Sequence, residues 1–229
     1  MVKRLKLGLM LGAAVSAIGF VLPSAVLAGT EVIGPTTYGP YAGGTSGNFS
    51  VPQFNGPGTL TSVELTVTGD SYDGSNALQN LSEEPGTATV EIGSNITVSG
   101  PSSLVVLTQP NQSATGPVTA NVNPPINYTG TDAISITGTS SSDTESDSIT
   151  APPTDLTPYV GAGDVTVDYS SNVNNYATST VSPEISGSTP PTYNFTATVT
   201  YTYSVPEPAS LGLIVAALPL LAARRRRNA

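Results

Sequence analysis

The chain has 229 residues, with 7 basic and 16 acidic side chains, no histidine and no cysteine. All seven basic residues lie within residues 3–6 and 224–227, and all sixteen acidic residues lie between Glu31 and Glu207. A body without cations cannot neutralise phosphate, which excludes a nucleic-acid-binding protein. Without cysteine the chain has neither a disulfide framework nor a thiolate nucleophile.

The N-terminal residues predict a signal peptide. Basic residues at positions 3, 4 and 6 precede an apolar run over residues 7–22, which ends at Pro23. Small or modest side chains then lead up to Ala28, so we expect signal peptidase to cut after Ala28. This divides the chain into a signal peptide (1–28), a body (29–204) and a C-terminal segment (205–229).

The body predicts an all-β fold. Apolar and polar side chains alternate over Leu60–Thr68 and, over six repeats, along Thr192–Ser204. A period of two is typical of antiparallel strands with one buried and one wet face. About eight short strands separated by turn residues favour an antiparallel β-sandwich with jelly-roll or Greek-key connections. No segment before residue 205 has helical periodicity.

Several local features are also predicted from composition. Residues 29–50 are expected to be an irregular lead-in with a first strand near Gly47–Val51. Residues 87–99 are expected to form a hairpin that turns at Gly93-Ser94, and 104–107 a strand buried on both faces. The polar stretch 138–154 is expected to be a mobile loop. Residues 155–160 predict one helical turn.

The C-terminal segment has three parts in a fixed order. Val205, Pro206, Glu207 and Pro208 precede an apolar run over 209–223, and four arginines follow, namely Arg224, Arg225, Arg226 and Arg227. The run is shorter than the ~20 residues that cross a bilayer comfortably as a helix. The arginines should stay cytoplasmic. The segment therefore predicts a short transmembrane helix that holds an exported body at the inner membrane.

This segment resembles the PEP-CTERM sorting signal of Gram-negative bacteria over residues 205–227. The resemblance implies processing by exosortase, a membrane transpeptidase-like enzyme, and a link to exopolysaccharide and biofilm export. It also implies a membrane-anchored precursor that later reaches the cell surface or the extracellular space. The alternative is a plain C-terminal anchor, which has no need of the Pro-Glu-Pro before it.

The body resembles the choice-of-anchor E domain in three segments. These are Pro52–Val63, Asp155–Gly163 and Ala197–Tyr203. The turn after Phe54 reads Asn-Gly-Pro-Gly, one residue shorter than the usual Asp-containing turn of that family. The family has no established activity, so the resemblance implies fold and location rather than a reaction.

Calcium is the one metal that the sequence brings into consideration. Asp70–Asn76 places hard oxygen ligands around a glycine turn, and Asp143, Glu145 and Asp147 form a second acidic cluster. Carboxylate and amide oxygens suit calcium, although the first segment departs from the EF-hand spacing. The alternative is that both segments are ordinary solvated loops.

A polysaccharide hydrolase needs only two carboxylates at the right separation. Glu64, Glu91, Asp164 and Asp168 are candidates because they alternate with apolar residues on predicted strands. The alternative, solvated charges on outer faces, fits the same pattern. Nucleophilic catalysis by serine would lack the usual activating base, since the body has no histidine, lysine or cysteine.

These observations favour an exported, exosortase-processed surface or extracellular-matrix protein without catalytic activity. Signal peptidase, exosortase and the inner membrane are the expected partners during export, with exopolysaccharide as a further candidate. Two alternatives stay open: a calcium-dependent carbohydrate-binding or adhesion module, and a two-carboxylate polysaccharide hydrolase.

Overall fold

The computed structural model of the chain describes residues 26–121, 125–138 and 140–206. The chain divides into two compact units, and Leu27–Val205 form one of them. Of the other unit, the structure describes only Val26 and Pro206. The described part confirms the predicted all-β, antiparallel fold, since it holds strands, turns and one short 3-10 helix. The predicted signal peptide and C-terminal helix lie outside the described residues.

The described residues form twelve strands and a 3-10 helix at Thr157–Tyr159. The strands are β1 (Val26–Ala42), β2 (Ser46–Pro52), β3 (Thr59–Tyr72), β4 (Ser75–Asn80), β5 (Gly86–Ser99), β6 (Val105–Thr108), β7 (Asn111–Val118), β8 (Ala133–Thr137), β9 (Ser141–Thr150), β10 (Asp164–Ser179), β11 (Glu184–Thr189) and β12 (Thr192–Pro206).

The strands form two layers that pack face to face. The first layer consists of a four-stranded sheet of order β1-β12-β3-β9 and, beyond a bend, a separate three-stranded sheet of order β11-β4-β8. In the second layer the order is β2-β10-β5, and β6 and β7 pair with successive parts of the same edge of β5. Strands β5 and β10 run uninterrupted along the whole layer.

The first layer bends where three strands change direction. Strand β3 passes into β4 at Asp73, which has a φ of 63°, and β8 passes into β9 after Gly138, which also has a φ of 63°. Strand β11 passes into β12 through Pro190 and Pro191. Gly74 fits closely at the bend, since a Cβ there would stand 2.3 Å from Ile92 Cδ1 and 3.0 Å from Pro191 Cα. Turn residues at matching positions thus bend all three strands together.

Alternation along the strands builds the interior, as the sequence predicts. Val199 of β12 lies opposite Leu65 of β3, and Ala197 lies opposite Val67. All four are buried, whereas the threonines between them face outward. Because side chains alternate between the faces of a strand, one face is apolar and the other is hydroxyl-rich.

The interior consists of two apolar clusters arranged along the layers. The larger cluster lies between β12-β3 and β2-β10-β5, and includes Val63, Ile96 and Phe195. The smaller cluster lies beyond the bend, around Leu78 and Val90. Small buried polar side chains separate the two clusters, namely Ser71, Ser94, Thr108 and Ser171.

The two ends of the body are named by the strands that finish there. The exit end is the end at which β12 finishes, and the far end is the end at which β4 finishes, at Asn80.

The predicted strand near Gly47–Val51 is confirmed as β2. Four other local predictions were wrong. Residues 26–42 form strand β1, in which Tyr38 stacks on Phe195 with ring centroids 5.1 Å apart. Residues 86–99 form one strand, because Ser94 is buried inside the sheet instead of turning. Val105 and Leu107 are 46% and 47% exposed, since β6 lies at a sheet edge. Residues 141–150 form strand β9 instead of a mobile loop. The predicted helical turn is confirmed as the 3-10 helix.

Candidate functional site

The predicted signal-peptide cleavage residue lies in strand β1. Ala28 is exposed near the start of that strand. The next residue, Gly29, packs so closely on Tyr203 of β12 that a Cβ would stand 2.5 Å from the ring. Gly34 lies against Ala197 and Gly39 against Asn194, so β1 and β12 run in opposite directions. The start of the body therefore lies beside its end.

Only part of the predicted sorting motif falls within the described residues. Val205 and Pro206 end strand β12, while Glu207, Pro208 and Arg224, Arg225, Arg226 and Arg227 lie outside them. The last firmly packed residue before the motif is Tyr203, whose ring lies 4.8 Å from that of Phe54. Within the described residues, no helix has the length and apolar character needed to cross a membrane.

The segments Pro52–Val63 and Asp155–Gly163 meet at the exit end. Gln53 N–H donates to Gly163 O (2.9 Å) and Phe54 N–H donates to Tyr159 O (2.8 Å). The side chain of Gln53 adds a bond from Nε2 to Pro158 O at 2.9 Å. The segment Ala197–Tyr203 contacts the first of these two, because Tyr201 Oη donates to Pro52 O at 2.8 Å. These contacts fix the loops on either side of the point where the chain leaves the body.

The first segment considered for calcium is not a loop. Asp70 belongs to β3 and Asn76 to β4, with the bend at Asp73 between them. Asn76 is buried, and its Nδ2 donates to Glu91 O (2.7 Å) and Tyr176 O (2.8 Å). Its amide is therefore used to join the two layers. Calcium binding at Asp70 and Asp73 stays a prediction.

The second acidic cluster lies on edge strand β9. Asp143, Glu145 and Asp147 occupy inward positions, opposite Gly69, Val67 and Leu65 of β3. Asp147 Oδ2 accepts a hydrogen bond from Val105 N–H (3.0 Å), and Asp143 Oδ2 accepts one from Gln109 N–H (2.7 Å). The two aspartates thus bind the free backbone edge beside β6. No group of three or more acidic side chains that could hold a metal ion occurs among the described residues.

The carboxylates considered for hydrolysis are distributed over two outer faces. Glu64 lies on the outer face of the first layer, while Asp164, Asp168 and Glu91 lie on that of the second. Asp164 and Asp168 are four residues apart on one strand, which corresponds to about 13 Å. Glycosidase carboxylates act at about 5–9.5 Å from each other. Glu91 is held by Asn174, whose Nδ2 donates to its Oε1 at 2.6 Å.

A polar cavity at the far end was not found from the sequence. It measures about 340 Å³ and is lined by Gln79, Asn121, Asn127 and Asp132 among others. Gln79 is fully buried, and its Nε2 donates to Asp132 Oδ2 at 2.9 Å. Asn121 donates to the same carboxylate oxygen. The sequence carries no signal for this group because Gln79 and Asp132 are 53 residues apart.

The backbone beside this cavity has an unusual conformation. Tyr128 has a φ of 53°, which is rare for a bulky residue. Two backbone donors hold it there, since Asn127 N–H and Tyr128 N–H both bond to Gln79 Oε1, at 3.0 and 3.1 Å. Strained residues cluster at ligand sites when the surroundings fix them. We therefore take the cavity as the candidate binding site of the body.

Comparisons with known proteins give no family. No family model matches the chain, and no curated protein matches it. Among solved structures, a chain in the structure of infectious bursal disease virus Gt strain is 13% identical, with a TM-score of 0.19. The match covers 90% of this chain and 51% of the viral chain. The Gx strain is 13% identical, with a TM-score of 0.20, covering 80% and 36%. The chain thus spans about half or less of these proteins' length, and likeness this weak carries no argument.

Proposed function

We propose that the chain is an exported protein without catalytic activity, sorted to the bacterial surface or extracellular matrix by a PEP-CTERM-type tail. The observation that carries the proposal is the charge distribution. All seven cationic side chains lie within residues 3–6 and 224–227, on either side of a body with none. Basic residues beside an apolar segment stay on the cytoplasmic side of the membrane. A body without basic residues can therefore be exported without such residues holding it back.

We further propose that the body is a jelly roll. Strands β3–β4, β6–β7, β8–β9 and β11–β12 are each interrupted only by a short bend. Counted as single strands, they give eight strands in the orders 1-8-3-6 and 2-7-4-5. This is the strand order of a jelly roll, which consists of two Greek keys in two layers. The proposed likeness of the body to the choice-of-anchor E domain rests on the sequence of Pro52–Val63, Asp155–Gly163 and Ala197–Tyr203.

The proposed sorting mechanism uses both ends of the body. Signal peptidase cuts after Ala28, and Gly29 then begins a mature chain whose first strand lies beside β12. The tail stalls in the inner membrane of a Gram-negative cell. Pro206 and Pro208 disfavour helix in the residues before them, which keeps the motif extended for exosortase. The released protein joins the exopolysaccharide or biofilm matrix.

The test is to replace both motif prolines. Pro206→Ala with Pro208→Ala should leave the protein in the inner-membrane fraction, because the motif can continue the apolar helix. Pro117→Ala, on edge strand β7, is the matched control and should be released normally. Immunoblots of membrane and extracellular fractions give the readout. Normal release of the double variant would contradict the proposed mechanism.

A second candidate function is calcium-dependent carbohydrate binding or adhesion, and the polar cavity favours it. Amide and carboxylate groups at Gln79, Asn121 and Asp132 converge on one space, as in sites that orient polar ligands. Asp132→Ala should abolish binding on a glycan array, whereas Asp168→Ala, on an outer face, should not.

Thermal unfolding measured with calcium and with a chelator tests whether calcium binds. A ligand that binds the folded state raises the midpoint of thermal unfolding. Without binding to any glycan, this candidate fails.

A further inference from the structure

The outer half of strand β10 has an open edge. Strand β2 pairs with β10 only as far as Ser46 opposite Ser170, whereas β5 continues to Ala88 opposite Ser179. Among the described residues, no strand pairs with the other side of 172–179. The eight strand residues 172–179 thus have no partner strand on one side within the described part of the chain.

The direction of the backbone groups along this edge follows from two hydrogen bonds. Ser171 N–H donates to Thr45 O, on the open side of β10. Thr180 N–H donates to Thr87 O, on the side of β5. Because these directions alternate in an antiparallel strand, Val173, Asn175 and Ala177 present their backbone groups to the open edge. The side-chain Oδ1 of Asn175, which lies opposite the buried Ile92, has no hydrogen-bond partner.

The other long edges carry features that prevent strand addition. Strand β1 has Pro35 and Pro40, and β7 has Pro117. Strand β9 has inward-pointing aspartates. Strands β2 and β11 are short, at 7 and 6 residues. Prolines, inward charges and short lengths are the means by which proteins protect edges. Residues 172–179 contain no proline and no charged side chain.

We propose that a second copy of this chain adds to the open edge of β10, antiparallel and around a two-fold axis at Tyr176. The backbone N–H and C=O groups on the open edge belong to odd-numbered residues. In an antiparallel pair these residues must therefore lie opposite odd-numbered residues of the second copy. A centre at Tyr176 satisfies this, because Asn175 then faces Ala177 of the second copy. It also places Tyr176, which is 52% exposed, against its own counterpart as an aromatic pair.

The absence of charge argues for a second copy as the occupant. The body carries acidic side chains and no cations, so most faces of two copies repel each other. The β10 segment between Asp168 and Glu184 has no acidic side chain. The carboxylate of Glu91, which lies opposite Tyr176 on β5, accepts a hydrogen bond from Asn174. Two copies can therefore approach at this edge with little repulsion. The edge is also self-complementary, as a two-fold interface requires.

This arrangement has a consequence that rests on the proposed function. Antiparallel pairing directs the exit ends of the two copies in opposite directions, because each β10 begins near its own exit end. Copies tethered to different cells or to different matrix fibres could join in this way, whereas two neighbours on one membrane could not. The pairing itself does not depend on where the protein resides.

The chain has no cysteine, so single cysteines report the register directly. Tyr176→Cys places two thiols at a non-hydrogen-bonded pair with Cα atoms about 4.5 Å apart, within the range of a disulfide. Thr178→Cys is the matched control, because Thr178 would face Asn174 instead of itself. The full chain, purified in mild detergent, should form disulfide dimers under mild oxidation ~10-fold faster with Tyr176→Cys than with Thr178→Cys.

A backbone variant tests the same edge independently. Ala177→Pro removes an N–H from the open side and spares the pairing with β5, as is tolerated on edge strands. Introduced beside Tyr176→Cys, it should abolish the disulfide dimer while the far-ultraviolet spectrum is retained. Equal cross-linking of the Tyr176→Cys and Thr178→Cys variants would overturn the proposal, and so would a dimer that survives Ala177→Pro. None of these results depends on removal of the tail, so failure here leaves the sorting proposal standing.

Discussion

At the scale of single residues, buried polar side chains hold the two layers together. Asn76 is the most informative case, because its one Nδ2 group donates to backbone carbonyls of both β5 and β10. The sequence predicted the apolar inner residues of β3 and β12 correctly, since their period of two is a local pattern. It could not predict the role of Asn76, whose partners Glu91 and Tyr176 lie 15 and 100 residues away.

We expect Asn76→Ala to lower the free energy of unfolding by about 2–4 kcal/mol, because two hydrogen bonds are lost inside the protein. Asn172→Ala is the matched control, since Asn172 is exposed on an outer face. That variant should stay within about 0.5 kcal/mol of the parent. Chemical denaturation measures both. Equal stability of the two variants would show that Asn76 does not join the layers.

Tyr201 should make stability depend on alkaline pH. Burial, with a smaller contribution from Glu31, raises the pKa of Tyr201 to about 12 from its ordinary value of 10.0. A raised pKa means that the folded state favours the neutral phenol. The resulting stability is complete below pH 10, and falls as the pH rises towards about 12. Denaturation midpoints measured from pH 8 to about 12 should fall less steeply in Tyr201→Phe. An identical slope would contradict this assignment.

At the scale of secondary-structure elements, the least expected feature is strand β9. Its composition predicted a mobile loop, because Ser141–Thr150 contains almost no apolar residue. The strand forms nonetheless, since it pairs along β3 and its aspartates bind the backbone beside β6. A sequence pattern does not reveal such pairing, because the partner strand begins about eighty residues earlier. Charged inward positions also protect an edge strand from adding to other chains.

We expect Asp147→Ala to cost about 1–2 kcal/mol of stability, because the bond to Val105 N–H is lost. Glu145→Ala is the matched control, since Glu145 is exposed on the same strand between the two aspartates. That variant should cost less than about 0.5 kcal/mol. Thermal and chemical denaturation of both proteins give the comparison. A larger loss in Glu145→Ala would contradict the role given to Asp147.

At the scale of the whole molecule, the body has two layers, and the chain enters and leaves it at one end. The first strand lies beside the last, and the motif begins where β12 ends. The polar cavity lies at the other end, and the open edge of β10 lies in the half beyond the bend. The all-β fold was predictable because alternation is local. The bend, the two clusters and the open edge were not, since they depend on where distant strands stop pairing.

The most direct test of the account is mass spectrometry of both ends of the protein recovered from the cell surface or the medium. The account predicts a chain that begins at Gly29 and has lost Arg224–Arg227. Retention of those four arginines in the sorted protein would contradict processing at the tail.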